Sequence, residues 1–437
     1  MSTFYVLLAT QALSMIGSRT SGLAVGIAVF RLTGHATPLA LVSVCSMAPW
    51  IVLGGVGGAL ADRFDRRTLM LAANVGYTLS SGLLLLAFLS GHFQLWQLYA
   101  ITLASGVCGV VETPALQASV AMLVPDKHRD RANAIQQLSY PAAVAVAAGF
   151  AGVLYAAVGV VGAIVVDLGT FIAAMAVLAV VQVPMPKASR SGADAAGRWW
   201  LQPVFGFRYL AGRPALLALC IYTGAIVAFA SGFWALTTPY VLDRVHATRT
   251  LGFVIATGMI GGIVGSLVMG AWGGTRPRIH TVMLSTVASG AFMMLAGAAR
   301  SPVALGATMF LMSVSIPFAN VAMRSIFQAK VPPELQGRVF AAMGQLNALL
   351  SPIGSLAAGP LADRLFEPAV SRQGWKAVGW LVGNAPGAGI GLLFVFAGLA
   401  IMATSLAAWA LPAIRHLEAN LPDHAAEPTQ AIPEPSP

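Results

Sequence analysis

The sequence predicts an all-α polytopic membrane protein of 12 transmembrane helices, arranged as two pseudo-symmetric halves of six. Three observations predict it. Only 9% of the 437 residues are charged and 57% are hydrophobic, with a mean hydropathy of +0.79, whereas an ordinary globular domain is about 25% charged. Apolar runs of about 20 residues, the length of a bilayer crossing, recur along the whole chain. A short pattern is also repeated half a chain apart. "VPDKHRDR" and "VPPELQGR" both read Val-Pro, five residues, Arg, which sets Val124, Pro125 and Arg131 against Val331, Pro332 and Arg338.

The elements follow in order. The first run, near 4–30, lacks the basic start of a cleaved signal and is too long for one, so it reads as a retained span. The second, 38–61, ends in Gly54, Gly55, Gly57 and Gly58, which let another helix approach closely. The spans 68–90, 95–123, 132–158 and 160–184 complete an N-terminal half, residues 1–184. A cytoplasmic linker is expected over 185–213, with Trp199 and Trp200 beside Arg198 at the membrane interface. The C-terminal half, 214–412, holds spans near 214–242, 250–274, 279–299, 302–330, 338–366 and 387–412. The tail 413–437, rich in Pro and acid, is expected to be disordered. The runs are continuous rather than alternating, which excludes a β-barrel.

Charge sets orientation and excludes functions. Lys and Arg concentrate in the links after even-numbered spans and in the tail: Arg63, Arg66, Arg67, Lys127, Arg129, Arg131, Lys187, Arg190, Arg198, Arg208, Arg213, Arg276, Arg278, Lys330, Arg338 and Arg415. They outnumber those on the other side, which predicts that both termini are cytoplasmic. The net charge of +10 is spread over these links rather than on one face, so nucleic acid is not an expected partner. Cys45, Cys108 and Cys220 lie in apolar runs without disulfide or metal-ligand spacing. The histidines lack ligand spacing, and no Gly-rich loop with Lys-Ser or Lys-Thr is present. No enzyme activity, metal or cofactor is expected.

A charge at membrane depth costs about 2.5–3.5 kcal/mol on insertion scales, so each one is a candidate for function. Four stand out: Arg19, Glu112, Asp167 and Arg324. Ser105, Cys108, Glu112 and Ser119 form one stripe on the fourth span. Ser313, Pro317, Asn320, Arg324 and Gln328 form another on the tenth. Asp167, in "VVDLGTF" with Thr170 one turn on, reads as a local hydrogen-bonding acid. Tyr222, Phe229, Phe233 and Tyr240 share a face of the seventh span. That face is either a stacking surface for an aromatic or apolar substrate or a helix-packing stripe. Gln11, Ser14 and Ser18 on the first span either hydrate a cavity or join helices.

The glycine-rich end of the second span followed by "DRFDRR" resembles the signature between helices two and three of the major facilitator superfamily. Gly58, Asp62, Arg63, Arg66 and Arg67 match it, and Asp65 stands where that signature has Gly. With "RLTGHATPLAL" and the Val-Pro repeat, the chain looks like the bacterial drug-proton antiporter branch, which includes macrolide and enterobactin exporters. The span-five antiporter signature of other branches has Gly-Pro, whereas this chain reads "AVAAGFAGVLY" around Gly149 and Gly152.

The resemblance implies a cavity lined by helices one, four, seven and ten, which agrees with the placement of Arg19, Glu112 and Arg324. It also implies that Asp62 meets the start of helix eleven when the halves close on the cytoplasmic side. Glu112, with Arg19 as its charge partner, is the expected proton-coupled carboxylate. Ser105, Asn320, Gln328, Arg324, Tyr222, Phe229 and Phe233 are the expected substrate-cavity residues. The function implied is a monomeric secondary exporter of a small amphipathic compound in the bacterial inner membrane, working by proton antiport. A uniporter or importer of a small metabolite is the alternative, and a non-transporting membrane sensor is a third.

Overall fold

The computed structural model describes residues 2–123, 129–180, 202–245, 248–371 and 375–421. Among these, every regular element is helical. Lipid offers the backbone no hydrogen bonds, so an apolar run satisfies its own N–H and C=O groups by coiling. The first group comprises α1 (Ser2–Thr33), α2 (Thr37–Arg63), α3 (Arg66–Leu89), α4 (Leu95–Leu123) and α5 (Arg129–Val180). α5 is bent at Gly159, whose φ of 68° is open to glycine without a Cβ clash. Its two arms occupy the predicted fifth and sixth runs.

α6 (Gln202–Ala211) leads into the second group: α7 (Pro214–Val245), α8 (Thr248–Trp272), α9 (Arg278–Ala298), α10 (Pro302–Lys330), α11 (Pro333–Leu361) and α12 (Ala388–Ala410). α11 runs on through a π-helical turn, Ala362–Phe366. Among the described residues, ten helices are long and apolar enough to cross a membrane, and Thr37–Leu53 and Ala142–Ala151 are shorter apolar stretches.

The packing repeats. α1 packs on α5, α2 on α4, and α3 on both α4 and α5. In the second group α7 packs on α11, α8 on α10, and α9 on both α10 and α12. With the arms of α5 counted separately, each pair recurs six helices later. Between the groups, α2 meets α11 and α5 meets α8. Each group has an apolar core of its own, around Val29 and Ile164 in the first and Leu216 and Ile326 in the second. A third core joins Ile27, Phe30 and Ala36 to Phe233, Tyr240 and Phe394 at the end of the bundle that holds the α1–α2 turn. Leu83, Leu284 and Val303 stand exposed on the periphery, as side chains covered by lipid would.

One expectation changes. The tail is ordered as far as Leu421 rather than disordered from 413. Helical turns at Pro412–Arg415 and Leu417–Asn420 bury Ile414 and Leu417. The Glu418 carboxylate accepts from the Ile279 N–H at 2.9 Å, in the orphan first turn of α9. Lys330 Nζ donates to the carbonyls of Glu418 and Leu421. Residues 422–437 lie outside the described residues. Within the expected linker, Gln202–Ala211 forms α6, packed on α11. Residues 185–201, with Trp199 and Trp200, lie outside the described residues, as do Val124 and Pro125 of the repeat.

Candidate functional site

Glu112 sits on α4 where α1 and α3 converge. Its Oε1 accepts from Gln11 Nε2 at 3.2 Å and from Asn74 Nδ2 at 3.2 Å. The Tyr77 hydroxyl also donates to it. Asn74 is buried, and its Nδ2 is held by the Met70 carbonyl at 2.8 Å, so the amide is fixed before it reaches Glu112. Three neutral donors from two helices therefore hold the carboxyl. Arg19 is exposed on α1, about two turns beyond Gln11. Ser105 is half-buried two turns earlier on α4. The sequence pointed to Glu112 and suggested Gln11, but Asn74 and Tyr77 were missed. Their spacing from Thr78 and Ser81 on α3 was the available signal.

On α10, Asn320, Arg324 and Gln328 are all exposed at four-residue spacing. Buried neighbours such as Met323 and Phe327 hold the opposite face against the core. The aromatic face of α7 divides. Phe233 and Tyr240 are fully buried, packed on Phe394 of α12 at 4.4 and 4.8 Å between ring centroids. The Tyr240 hydroxyl donates to the carbonyls of Ala296 and Gly297 on α9. Tyr222 is buried with its hydroxyl 3.1 Å from Ser405 Oγ. These three are helix-packing residues, and only Phe229, 38% exposed, presents an open surface.

In the charged link, the side chains of Gly58, Asp62 and Arg63 lie outside the described residues. Asp65, the departure from the signature, is the N-cap of α3. Its Oδ2 accepts from the Thr68 N–H at 3.1 Å and the Thr68 hydroxyl at 2.8 Å. Arg66 is half-buried. Arg67 donates to the carbonyls of Leu178 and Ala179, capping the end of α5 and tying it to the start of α3.

The opposite end of the α2–α11 contact holds a residue that sequence reasoning missed. Asp363, just past α11, accepts from the N–H of Ala36 at 2.9 Å, the N–H of Thr37 at 2.8 Å and the Thr37 hydroxyl. It thus caps the N-terminus of α2 from the other group. A Cβ at Gly359 would lie 2.8 Å from the Thr37 Cα, so bare backbone is needed for this approach. The signal was present: "GALADR" at 58–63 and "GPLADR" at 359–364 share Gly-x-Leu-Ala-Asp-Arg. The same end-of-helix sequence stands at the C-terminal ends of two helices that pack on each other.

Comparison with known proteins extends this geometry. The family profile described as Major Facilitator Superfamily matches residues 7–355. The chain belongs to the Major Facilitator Superfamily. It is therefore a membrane transporter and not an enzyme. Macrolide efflux protein A of Streptococcus pyogenes is 27% identical over 377 residues, covering 83% of this chain and 90% of the relative. Enterobactin exporter EntS of Salmonella typhimurium is 23% identical over 376 residues, covering 80% and 87%. Among solved structures, nucleoside transporter NupG superposes with a TM-score of 0.68 at 12% identity over 92% of this chain and 99% of that one. An inward-facing, unoccupied bacterial homologue of the human lysosomal transporter Spinster gives 0.67 at 14% identity over 93% and 94%.

Proposed function

We propose that this superfamily member exports a small amphipathic compound, such as a drug, an antibiotic or a siderophore-like molecule, from the bacterial cytoplasm by proton antiport. The observation that carries the reading is Glu112. An acid at membrane depth is retained at a cost, and this one is held by neutral donors that serve both its protonated and its ionised form. A group of that kind binds either a proton or a cationic substrate, and Arg19 on α1 is its proposed charge partner. Arg324, Asn320 and Gln328 offer a polar wall on α10, and Phe229 offers an apolar contact on α7. The efflux relatives favour the outward direction.

The chain crosses twelve times, as halves 1–184 and 214–412 joined by 185–213. The pairing that recurs six helices later supports this count, with Thr37–Leu53 and Ala142–Ala151 serving the two less apolar crossings. The basic links put both termini in the cytoplasm of a monomer in the inner membrane. The α1–α2 turn then faces outside, and the Asp363 cap of α2 closes that side. Asp62, with the same sequence at the other end of the α2–α11 pair, is the inner counterpart. Alternating access consists of making one cap while breaking the other.

Reconstituted protein under an imposed pH gradient tests this, with a macrolide, a catechol siderophore and a cationic dye as probes. Proton antiport accumulates a probe against its gradient and stops when the pH gradient is collapsed. Flux that only follows the probe's own gradient identifies a uniporter, and binding without flux identifies a sensor.

A further inference from the structure

Glu112, itself half-buried, is not the only acid enclosed among the first-group helices. Asp167, on the second arm of α5, is 5% exposed. Its Oδ1 accepts from Ser18 of α1 at 3.0 Å and its Oδ2 from Ser81 of α3 at 2.8 Å. The sequence suggests a merely local acid bonded to Thr170. Instead the Thr170 hydroxyl goes to the Asp167 backbone carbonyl at 2.7 Å, which leaves the carboxyl to reach two other helices. α1 can lie this close because it carries Gly17, where a Cβ would fall 2.3 Å from Thr170 Oγ1.

The two acids are connected by matching stripes. On α1 the polar residues are Gln11, Ser14 and Ser18, and on α3 they are Asn74, Tyr77, Thr78 and Ser81. Gln11, Asn74 and Tyr77 bind Glu112, and seven residues further along both helices Ser18 and Ser81 bind Asp167. Seven residues of helix rise about 10 Å. Between these ends lie Ser14, buried with its carbonyl accepting from Ser18 at 3.1 Å, and Tyr77, stacked on Phe171 at 5.2 Å, one turn beyond Asp167. The charged or titratable residues that the neighbouring helices carry along this seam are Arg19 on α1, Tyr77 on α3, and Cys108 and Glu112 on α4. α8, which also packs on α5, has in its sequence a charge only at Arg249, in its first turn. An ionised carboxylate buried among apolar helices is costly unless paired, and a proton removes that cost.

We infer that Asp167 is a second proton-binding carboxyl, placed in series with Glu112 along the α1–α3 polar seam. When a proton leaves Glu112 for Asp167, Glu112 becomes the carboxylate and Asp167 the neutral acid, and no other group changes charge. The seam runs along the helix axes, so this moves the proton about 10 Å across the membrane before the halves rock. The inference rests on the reading of Glu112 as an exchangeable carboxyl.

Infrared difference spectra of the full chain in lipid, between acidic and alkaline buffer, test it with the proton alone as probe. The wild type should show two protonated-carboxyl C=O bands that titrate, one lost in Asp167→Asn and the other in Glu112→Gln. Ser81→Ala should shift the Asp167 band by removing one donor, which covers the case where Asp167→Asn does not fold. In Glu112→Gln the Asp167 band should remain, with slowed exchange in heavy water. An Asp167→Asn spectrum superposable on the wild type, or no shift in Ser81→Ala, overturns the inference. Unchanged exchange in Glu112→Gln overturns the series arrangement. A band lost only in Asp167→Asn instead condemns the reading of Glu112 and leaves Asp167 standing.

Discussion

Removing the Asp363 carboxylate should open the α1–α2 end of the bundle. Asp363 holds two backbone N–H groups and one hydroxyl at the start of α2, and it is half-buried. Asp363→Asn keeps an acceptor oxygen and loses the charge at the helix N-terminus. A charge at such a place contributes about 0.3–1 kcal/mol when exposed and up to about 2 when partly buried. We take about 1 kcal/mol, roughly a fivefold shift between closed and open populations. Asp363→Ala removes the cap altogether, at about 2 kcal/mol, the upper end for N-cap loss, or roughly thirtyfold. Thr37→Val removes only the hydroxyl bond and should fall at or below the Asn variant, about 0.5–1 kcal/mol. Spin labels on cysteines at His35 and Ser371, both exposed at that end, report the separation once Cys45, Cys108 and Cys220 are replaced. A longer-distance population should grow in the order wild type, Asn, Ala. A distance distribution in Asp363→Ala identical to that of the wild type refutes it.

Other outcomes follow from the same geometry. Phe233→Ala should cost about 3–5 kcal/mol of stability because the ring is fully buried against Phe394, whereas Phe229→Ala should leave thermal stability nearly unchanged and weaken probe binding. Thermal unfolding and equilibrium binding of the two variants side by side would expose an error if the losses were reversed. Asp65→Ala should lower stability by about 1 kcal/mol through loss of the α3 cap, and Asp65→Gly by only a few tenths; equal thermal midpoints for the wild type and Ala would count against the cap. Truncation after Leu421 should be tolerated. Truncation after Leu411 should destabilise the second group, since Ile279 loses its acceptor and Lys330 its carbonyls, and a melting comparison decides. Asp62→Asn should slow transport while the protein still inserts and binds, as turnover per inserted molecule would reveal.

The helices were legible because lipid leaves an apolar run no alternative to coiling, and even the bend of α5 fell in the gap between two predicted runs, at Gly159. What periodicity could not supply was which neighbour covers a face. Tyr222, Phe233 and Tyr240 do share one side of α7, but α9 and α12 pack over it. Glu112 stood out by its charge, whereas Asn74 and Tyr77 are ordinary on α3 until α4 brings the acid to them. Asp363 is not marked by a repeat between equivalent helices of the two halves, because "GPLADR" relates α2 to α11, its packing partner. The tail looked disordered by composition, yet Ile414, Leu417 and Glu418 dock its first nine residues.

Glu112→Gln in proteoliposomes tests the central claim most directly. Gln is close in size and keeps an oxygen for Gln11, Asn74 and Tyr77, so the loss of the exchangeable proton is what changes. With a probe that the wild type accumulates under an imposed pH gradient, the account predicts that the variant still exchanges labelled for unlabelled probe across the membrane but no longer accumulates it. Uphill accumulation by Glu112→Gln with the wild-type pH profile would contradict the account and leave Glu112 as a structural anchor between α1, α3 and α4.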